Sequence, residues 1–251
     1  MQVEATTIFI PVILFLATLS RSTFGFGDAM ISMPLLSLMI DIKMATPLVA
    51  LTSGTIAMAI VIRDWHKIDL KSARRLAFSA MIGIPIGLLF LKQVDDRAVK
   101  TVLAVVVLCF SIYLLWRPRF HTNLHERWIY LAGFFAGILG GAYNTHGPPL
   151  VIYATLQKWP PETLRATLQG YFVMAGTVLL VSHYLVGFWS TNGGVNTTLF
   201  GFYGISLPAV FLGIIVGRKL NRRFSNERFR RALYVLLLLI GTALLADSIF
   251  L

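Results

Sequence analysis

The sequence predicts an all-α integral membrane protein built from two inverted-topology repeats, each made of a short broken-helix hairpin and three transmembrane helices. Hydrophobic residues make up 57% of the 251 residues and charged residues only 13%, whereas a soluble domain is about 25% charged. The apolar residues form several runs long enough to cross a bilayer, which takes about 20 residues. Two further pairs of apolar stretches are short and are separated by Gly, Pro and polar residues.

Composition also excludes several other classes of protein. Cys109 is the single cysteine and lies within an apolar run, which excludes a disulfide-stabilised secreted scaffold. The abundance of Leu, Ile, Val and Phe excludes intrinsic disorder. The net charge of +11 is divided among short clusters between apolar runs, whereas nucleic-acid binding needs a contiguous basic face. We therefore predict a lipid environment and no nucleic-acid partner.

The apolar runs predict the order of the elements and a duplication. Each half begins with two short helices around a break and continues with three long helices, which divides the chain into repeats of residues 1–120 and 121–251. Gly83-x-x-x-Gly87 and Gly213-x-x-x-Gly217 occupy corresponding helices. The short helices are 6–20 and 29–40 around a break at 21–28, and 128–141 and 150–157 around a break at 142–149. The long helices are 44–62, 76–91, 99–116, 163–186, 199–217 and 232–250.

The distribution of Lys and Arg predicts the orientation in the membrane. Segments 63–75, 117–127 and 218–231 are strongly basic, and segment 187–198 has no basic residue. Basic loops remain on the cytoplasmic side. If each short pair is a hairpin that enters the membrane and returns, every strongly basic loop is cytoplasmic, whereas eight simple crossings would place one outside. Each half then has an odd number of segments, so the halves are inverted and both termini lie outside.

The two breaks are the predicted substrate site. Non-helical backbone survives at membrane depth only where protein or a cavity surrounds it, and paired breaks in two halves mark the site of many transporters. A helix that begins after a break presents free N–H groups and its positive end, which favours an anion. The alternative is that the breaks are kinks used only for close packing. The predicted substrate-binding residues are Ser22, Thr23, Gly25, Gly27, Asp28, Ser53, Asn144, Thr145, His146, Gly147 and Gln169.

The ionisable residues away from the loops are few, and most of them allow more than one interpretation. Asp28 is a candidate proton acceptor, a partner of Arg21 or a helix N-cap. His146 either titrates near neutral pH or stays neutral and bonded to backbone. Arg21 either binds an anion or extends to the lipid headgroups. His183, close to a helix end, is predicted to lie at the membrane interface. Asp28 and His146 are the predicted proton-coupling residues.

No catalytic, metal-binding or nucleotide-binding motif is present in the sequence. It has no His-Glu-x-x-His, no cysteine pair and no Gly-x-x-x-x-Gly-Lys-Ser/Thr. The loops are also too short for an enzymatic or ATP-binding domain. We therefore predict no enzymatic activity, no cofactor and no metal.

The two breaks carry a resemblance to a known family. Residues 25–36, Gly-Phe-Gly-Asp-Ala-Met-Ile-Ser-Met-Pro-Leu-Leu, and residues 137–150, Gly-Ile-Leu-Gly-Gly-Ala-Tyr-Asn-Thr-His-Gly-Pro-Pro-Leu, resemble the two motifs of the sulfite exporter TauE/SafE family of permeases. The likeness extends over nearly the whole chain. Asp28 and Ala29 stand where the family often has further glycines, so the contact with ligand there is expected to differ.

The resemblance implies a secondary transporter of small sulfur-containing anions, such as sulfite, sulfoacetate or another organosulfonate, that works by alternating access in the inner (cytoplasmic) membrane. Coupling to protons and assembly into a homo-oligomer are left open. Two other functions also remain: a passive anion channel and a non-transporting membrane assembly protein.

Overall fold

The computed structural model describes residues 2–116, 125–187, 190–191, 194–223 and 227–250. Parts of the predicted basic loops 117–127 and 218–231, and of the uncharged loop 187–198, lie outside these residues. The described residues form ten α-helices, one 3₁₀ turn and a pair of two-residue antiparallel strands, β1 and β2. The bounds are α1 Gln2–Phe24, α2 Asp28–Ser37, α3 Ile42–Asp64, the 3₁₀ turn Trp65–Lys67, α4 Leu70–Gln93, α5 Asp96–Trp116, α6 Trp128–Tyr143, α7 Gly147–Leu156, α8 Pro161–Val186, β1 Ser190–Thr191, β2 Gly194–Val195, α9 Thr197–Arg223 and α10 Glu227–Phe250.

The helices confirm the all-α membrane fold. Seven helices of the described chain are long and apolar enough to cross a bilayer, and α6 and α7 are shorter apolar helices. The expectation that the first helix is a short stretch at 6–20 is wrong, because α1 continues for 23 residues to Phe24. Arg21, Ser22 and Thr23 therefore lie on its last turn and not in a break.

Both breaks are only three residues long, and local sequence explains each. Residues 25–27 separate α1 from α2, and Gly25 (φ +90°) and Gly27 (φ +98°) hold the left-handed conformation that glycine adopts without strain. Residues 144–146 separate α6 from α7. Asn144 ends α6 in the left-handed conformation (φ 56°), and the prolines after Gly147 occupy the first turn of α7, where proline is tolerated.

The helix contacts are reciprocal between the two halves of the chain. The fourth helix of one half, α4, packs against the first of the other, α6, and in the same way α9 packs against α1. The remaining contacts between the halves include α3 with α8 and α5 with α10. The paired glycines lie at these contacts: Gly83 and Gly87 face the backbone of α6, and Gly213 and Gly217 face the backbone of α1. Each Gly-x-x-x-Gly thus brings two helices close together.

Ion pairs lie at both ends of the bundle. At one end Lys43 pairs with Asp96, and Lys100 with Asp247. At the opposite end, where α3 ends, the pairs are Lys67–Glu162, Arg75–Glu126 and Arg165–Asp64. The hydrogen bond from Arg75 lowers the pKa of Glu126 below its ordinary value. The three pairs at this second end join the loops that the predicted hairpin topology places on the cytoplasmic side.

We expect Thr191 and Arg222 to lie on opposite sides of the membrane, Thr191 outside and Arg222 in the cytoplasm. Thr191 precedes α9 and Arg222 lies in its last turn. The 27 residues of this helix are enough to cross a bilayer. Thr191→Cys and Arg222→Cys, each in a Cys109→Ala background, would be labelled in intact cells with a membrane-impermeant maleimide. Labelling is expected at position 191 only; labelling of both positions from one side would contradict the topology.

Candidate functional site

A buried ion pair joins the last turn of α1 to the first residue of α2. Arg21 Nη1 lies 2.6 Å from Asp28 Oδ2, and the two side chains are 1% and 8% exposed. The positive-φ glycines of the first break make the turn that brings these residues together. A charge inside a membrane protein is expensive unless it is paired. The pair therefore needs the surrounding protein to supply its remaining hydrogen bonds.

Two other helices provide partners for this ion pair. From α3, Ser53 Oγ donates a short hydrogen bond to the same Asp28 Oδ2. From α8, Gln169 accepts a hydrogen bond from Arg21 Nε (3.0 Å) and donates one to the carbonyl of Gly25 (2.8 Å). Gln169 is completely buried. We name Arg21, Asp28, Ser53 and Gln169 the Arg21 cluster.

Aromatic residues of α8 connect the Arg21 cluster to the second break. The guanidinium of Arg21 lies over the ring of Phe172, 4.3 Å from its centroid, which is a cation–π geometry. The imidazole of His146 packs edge-on against the same ring, with the centroids 5.9 Å apart. His146 Nδ1 also lies 2.9 Å from the hydroxyl of Tyr171. Arg21 and His146 therefore approach Phe172 from the two halves of the chain.

The second break and the start of α7 lie against the N-terminal half of the chain. A Cβ atom on Gly147 would lie 3.7 Å from the Cβ of Phe26, in the middle of the first break. Asn144 Nδ2 donates to the carbonyl of Thr46 on α3, at 2.7 Å. The start of α7 thus lies beside the first break, and the end of α6 is joined to α3.

The other predicted residues have different surroundings. Ser22 lies against Gly217 of α9, and Thr23 Oγ1 donates to the carbonyls of Leu19 and Gly217, so both face the α1–α9 contact. Thr145 donates to the carbonyl of Tyr143 (3.1 Å).

The interface position predicted for His183 is wrong, because the residue is completely buried. The neighbouring Tyr184 and Leu185 are exposed, so His183 points to the packed side of α8. Proximity to a helix end therefore did not place this side chain at the membrane surface.

Three further residues of the site were not predicted from the sequence. Tyr171 and Phe172 were missed because aromatic residues in an apolar helix carry no distinctive local signal. Gly140 of α6 was also missed; a side chain there would overlap the imidazole of His146. The small residue thus makes room for the ring.

An open cavity of about 500 Å³ lies between α3, α8 and α9. Phe172 forms part of its wall, and Thr55, Thr177 and Tyr203 are among its few polar lining residues. The Tyr203 hydroxyl lies 2.7 Å from Thr55 Oγ1. The ring that contacts Arg21 thus also borders a cavity large enough for a small organic anion.

Comparison with known proteins gives a match over almost the whole chain. The family described as "Sulfite exporter TauE/SafE" matches residues 10–244. The chain belongs to this family. TauE/SafE proteins are membrane transporters and not enzymes. This member has seven apolar helices of membrane-spanning length among its described residues and is a multi-pass protein of the inner membrane.

Two curated relatives belong to bacteria. The chain is 23% identical over 241 residues to the "Probable sulfite/organosulfonate exporter TauE" of Cupriavidus necator, covering 92% of this chain and 91% of the relative. It is 28% identical over 170 residues to the "Probable inner membrane transporter protein TsaS" of Comamonas testosteroni, covering 65% and 66%. No solved structure matches the chain.

Proposed function

We propose that this TauE/SafE protein transports small sulfur-containing anions, such as sulfite, sulfoacetate or another organosulfonate, between the two helix breaks. The observation that carries the proposal is the convergence of both breaks on buried polar groups inside a bundle of apolar helices. Asp28 and Gln169 bond to Arg21, and Ser53 bonds to Asp28. His146 packs against the ring of Phe172, over which Arg21 lies. The name of the Cupriavidus relative supports sulfite and organosulfonates as the class of substrate.

The helix ends favour an anion independently of the relatives. α2 begins directly after the first break and α7 directly after the second. The first N–H groups of a helix have no partner within it, and they carry the positive end of the helix dipole. α2 offers its first N–H groups to an oxyanion, whereas Pro148 and Pro149 carry no N–H. α7 therefore offers the N–H of Gly147 and the positive end of its dipole.

The reciprocal helix contacts support alternating access by two inverted repeats. α4 with α6 and α9 with α1 are equivalent contacts if the halves at 1–120 and 121–251 are related by a two-fold axis. An odd number of segments per half makes such repeats inverted. Rocking of one half against the other would then open the same site to each side in turn.

Proton coupling is part of the proposal. A bound anion favours the protonated forms of both Asp28 and His146. Protonation of Asp28 removes a negative charge beside the anion, and protonation of His146 adds a positive charge beside it. Anion and proton would then cross in the same direction. A higher proton concentration on one side should therefore drive the anion away from that side.

The test is counterflow in liposomes that contain the purified full-length protein. Vesicles loaded with unlabelled sulfoacetate or sulfite are expected to take up labelled substrate transiently and with saturation, and an outside-acid gradient should accelerate uptake. Acetate and phosphate serve as non-sulfur controls. Asp28→Asn and His146→Gln should each flatten the pH dependence if that residue carries the proton.

Each alternative function gives a different result in this assay. Flux without stimulation by substrate on the opposite side would indicate a passive channel. The absence of any sulfur-anion flux from protein that is folded and inserted would overturn the transport proposal and favour an assembly function. Saturable counterflow that ignores the pH gradient would contradict proton coupling alone.

A further inference from the structure

Arg21 has a hydrogen-bonding group that the fold leaves unused. Among the described residues, Arg21 is the one buried Lys or Arg side chain, and it is 1% exposed. Nε donates to Gln169 and Nη1 to Asp28. Nη2 is buried as well and has no hydrogen-bond partner. A buried donor without a partner is costly, and more so on a charged group, so an unpaired guanidinium nitrogen at this depth points to a ligand.

The contacts of Arg21 orient its guanidinium for an oxyanion. A guanidinium presents its N–H groups in a planar fork that matches two oxygens of one anion. Two edges of this fork are held in place by Gln169 and Asp28, and its face lies on Phe172. The side chain is therefore oriented before any ligand arrives, which lowers the entropic cost of binding.

Asp28 competes with an arriving anion for the same cation. Its Oδ2 accepts from both Arg21 Nη1 and Ser53 Oγ. With Asp28 ionised, the pair is neutral and the electrostatic attraction for an anion is small. With Asp28 protonated, Arg21 keeps its positive charge, and a carboxyl O–H can still hydrogen-bond to Ser53. Proton and anion are thus expected to bind together.

We infer that Arg21 binds the sulfur oxyanion directly through its free Nη2, with Asp28 as the internal counter-ion that takes up one proton from solution as the anion binds. This inference rests on the proposed function and adds the residue that holds the substrate. The charge balances: one anion and one proton enter together, and the net charge of the Arg21 cluster stays the same.

The surroundings of Asp28 contain few other charges. His146, from the second break, packs against the same Phe172 ring that Arg21 covers. α3 contributes the Ser53 hydroxyl, and α8 contributes Gln169 through Arg21. α5 and α10 also pack against α2, but their Asp96, Lys100 and Asp247 form ion pairs at the end of the bundle. Asp28 and His146 are therefore the two groups that a pH titration must separate.

The test is equilibrium binding of methanesulfonate, which remains a monoanion across the titration, to the purified full-length protein. The parent is expected to lose about tenfold in affinity for each rise of one pH unit while Asp28 is ionised, because one proton is linked to each anion. Asp28→Asn should bind with an affinity that varies little with pH. His146→Gln should keep the pH dependence of the parent.

The double variant Arg21→Gln/Asp28→Asn replaces the ion pair with neutral residues, so no unpaired charge is left buried. It is expected to remain folded and to bind roughly a hundredfold more weakly, the loss typical of a charge-assisted hydrogen bond. Asp247→Asn is the matched control, because it neutralises the carboxylate of a half-buried ion pair away from the breaks. It should keep the affinity and pH dependence of the parent.

The outcomes separate this inference from the proposed function. Parent-like affinity in the folded double variant would overturn the role of Arg21, although transport could continue. Binding of no sulfur anion by the parent would overturn the proposed function and this inference together. If the double variant does not fold, proton uptake by the parent in weak buffer decides: about one proton per bound sulfonate supports the inference, and none overturns it.

Discussion

Gly87→Val is expected to prevent folding of the protein or to lower its free energy of unfolding by at least about 3 kcal/mol, the upper end for overpacking of a core. A Cβ at Gly87 would overlap the carbonyl oxygen of Ile138 and lie 2.8 Å from the amide nitrogen of Ala142. Both atoms belong to the backbone of α6, so no side-chain rotation can relieve the overlap. α4 and α6 would have to separate along their contact.

The matched control for this substitution is Gly204→Val, because no described atom outside the adjoining turns of α9 lies within 4 Å of a Cβ at Gly204. The stability of that variant should remain close to that of the parent. Gly217→Val tests the equivalent contact, since a Cβ there would lie 2.9 Å from the carbonyl oxygen of Leu19 on α1. Thermal unfolding in detergent and the yield of monodisperse protein measure all three. Equal stability of the Gly87 and Gly204 variants would contradict the close α4–α6 contact.

Hydropathy predicts which residues contact lipid. It therefore located the membrane-spanning helices but did not locate their ends. The run at 76–91 marks the apolar part of α4, yet the helix begins at Leu70, because the Asp69 carboxylate accepts hydrogen bonds from the backbone N–H groups of Lys71 and Ser72. α9 likewise continues to Arg223, beyond the apolar run at 199–217. The ends of these helices depend on capping residues and on charged residues beyond the apolar run, and hydropathy alone does not predict either.

The first break was predicted too wide because its polar residues were interpreted as loop. Arg21 instead lies on the last turn of α1, where Asp28 pairs with its charge and Gln169 accepts a hydrogen bond from Nε. Gln169 is 148 residues away in the chain, and no local pattern predicts that contact. Asp28 and Gln169 were predicted as site residues from their positions in the sequence. Phe172 could be assigned to the site only from the fold, which places its ring between Arg21 and His146.

Gln169→Leu is expected to reduce sulfonate transport by tenfold or more and to destabilise the protein. Leucine has a similar volume but forms no hydrogen bonds, so Arg21 Nε and the carbonyl of Gly25 would both lose their partner in a buried region. Each unsatisfied group costs about 1–3 kcal/mol, and more when it is charged. Arg21 would also lose the contact that fixes the direction of its guanidinium, and the first break would lose its hydrogen bond to α8.

Gln169→Glu separates orientation from charge in this arrangement. The carboxylate can still accept from Arg21 Nε, so the variant should be more stable than Gln169→Leu. It adds a second negative charge beside Arg21, however, and should therefore bind an anion no better than the leucine variant. Ser182→Ala is the control on the same helix, because Ser182 Oγ bonds to the carbonyl of Val178 within α8. Its transport and thermal unfolding should match those of the parent. Parent-like transport by either Gln169 variant would show that substrate binding does not depend on the orientation and charge of Arg21.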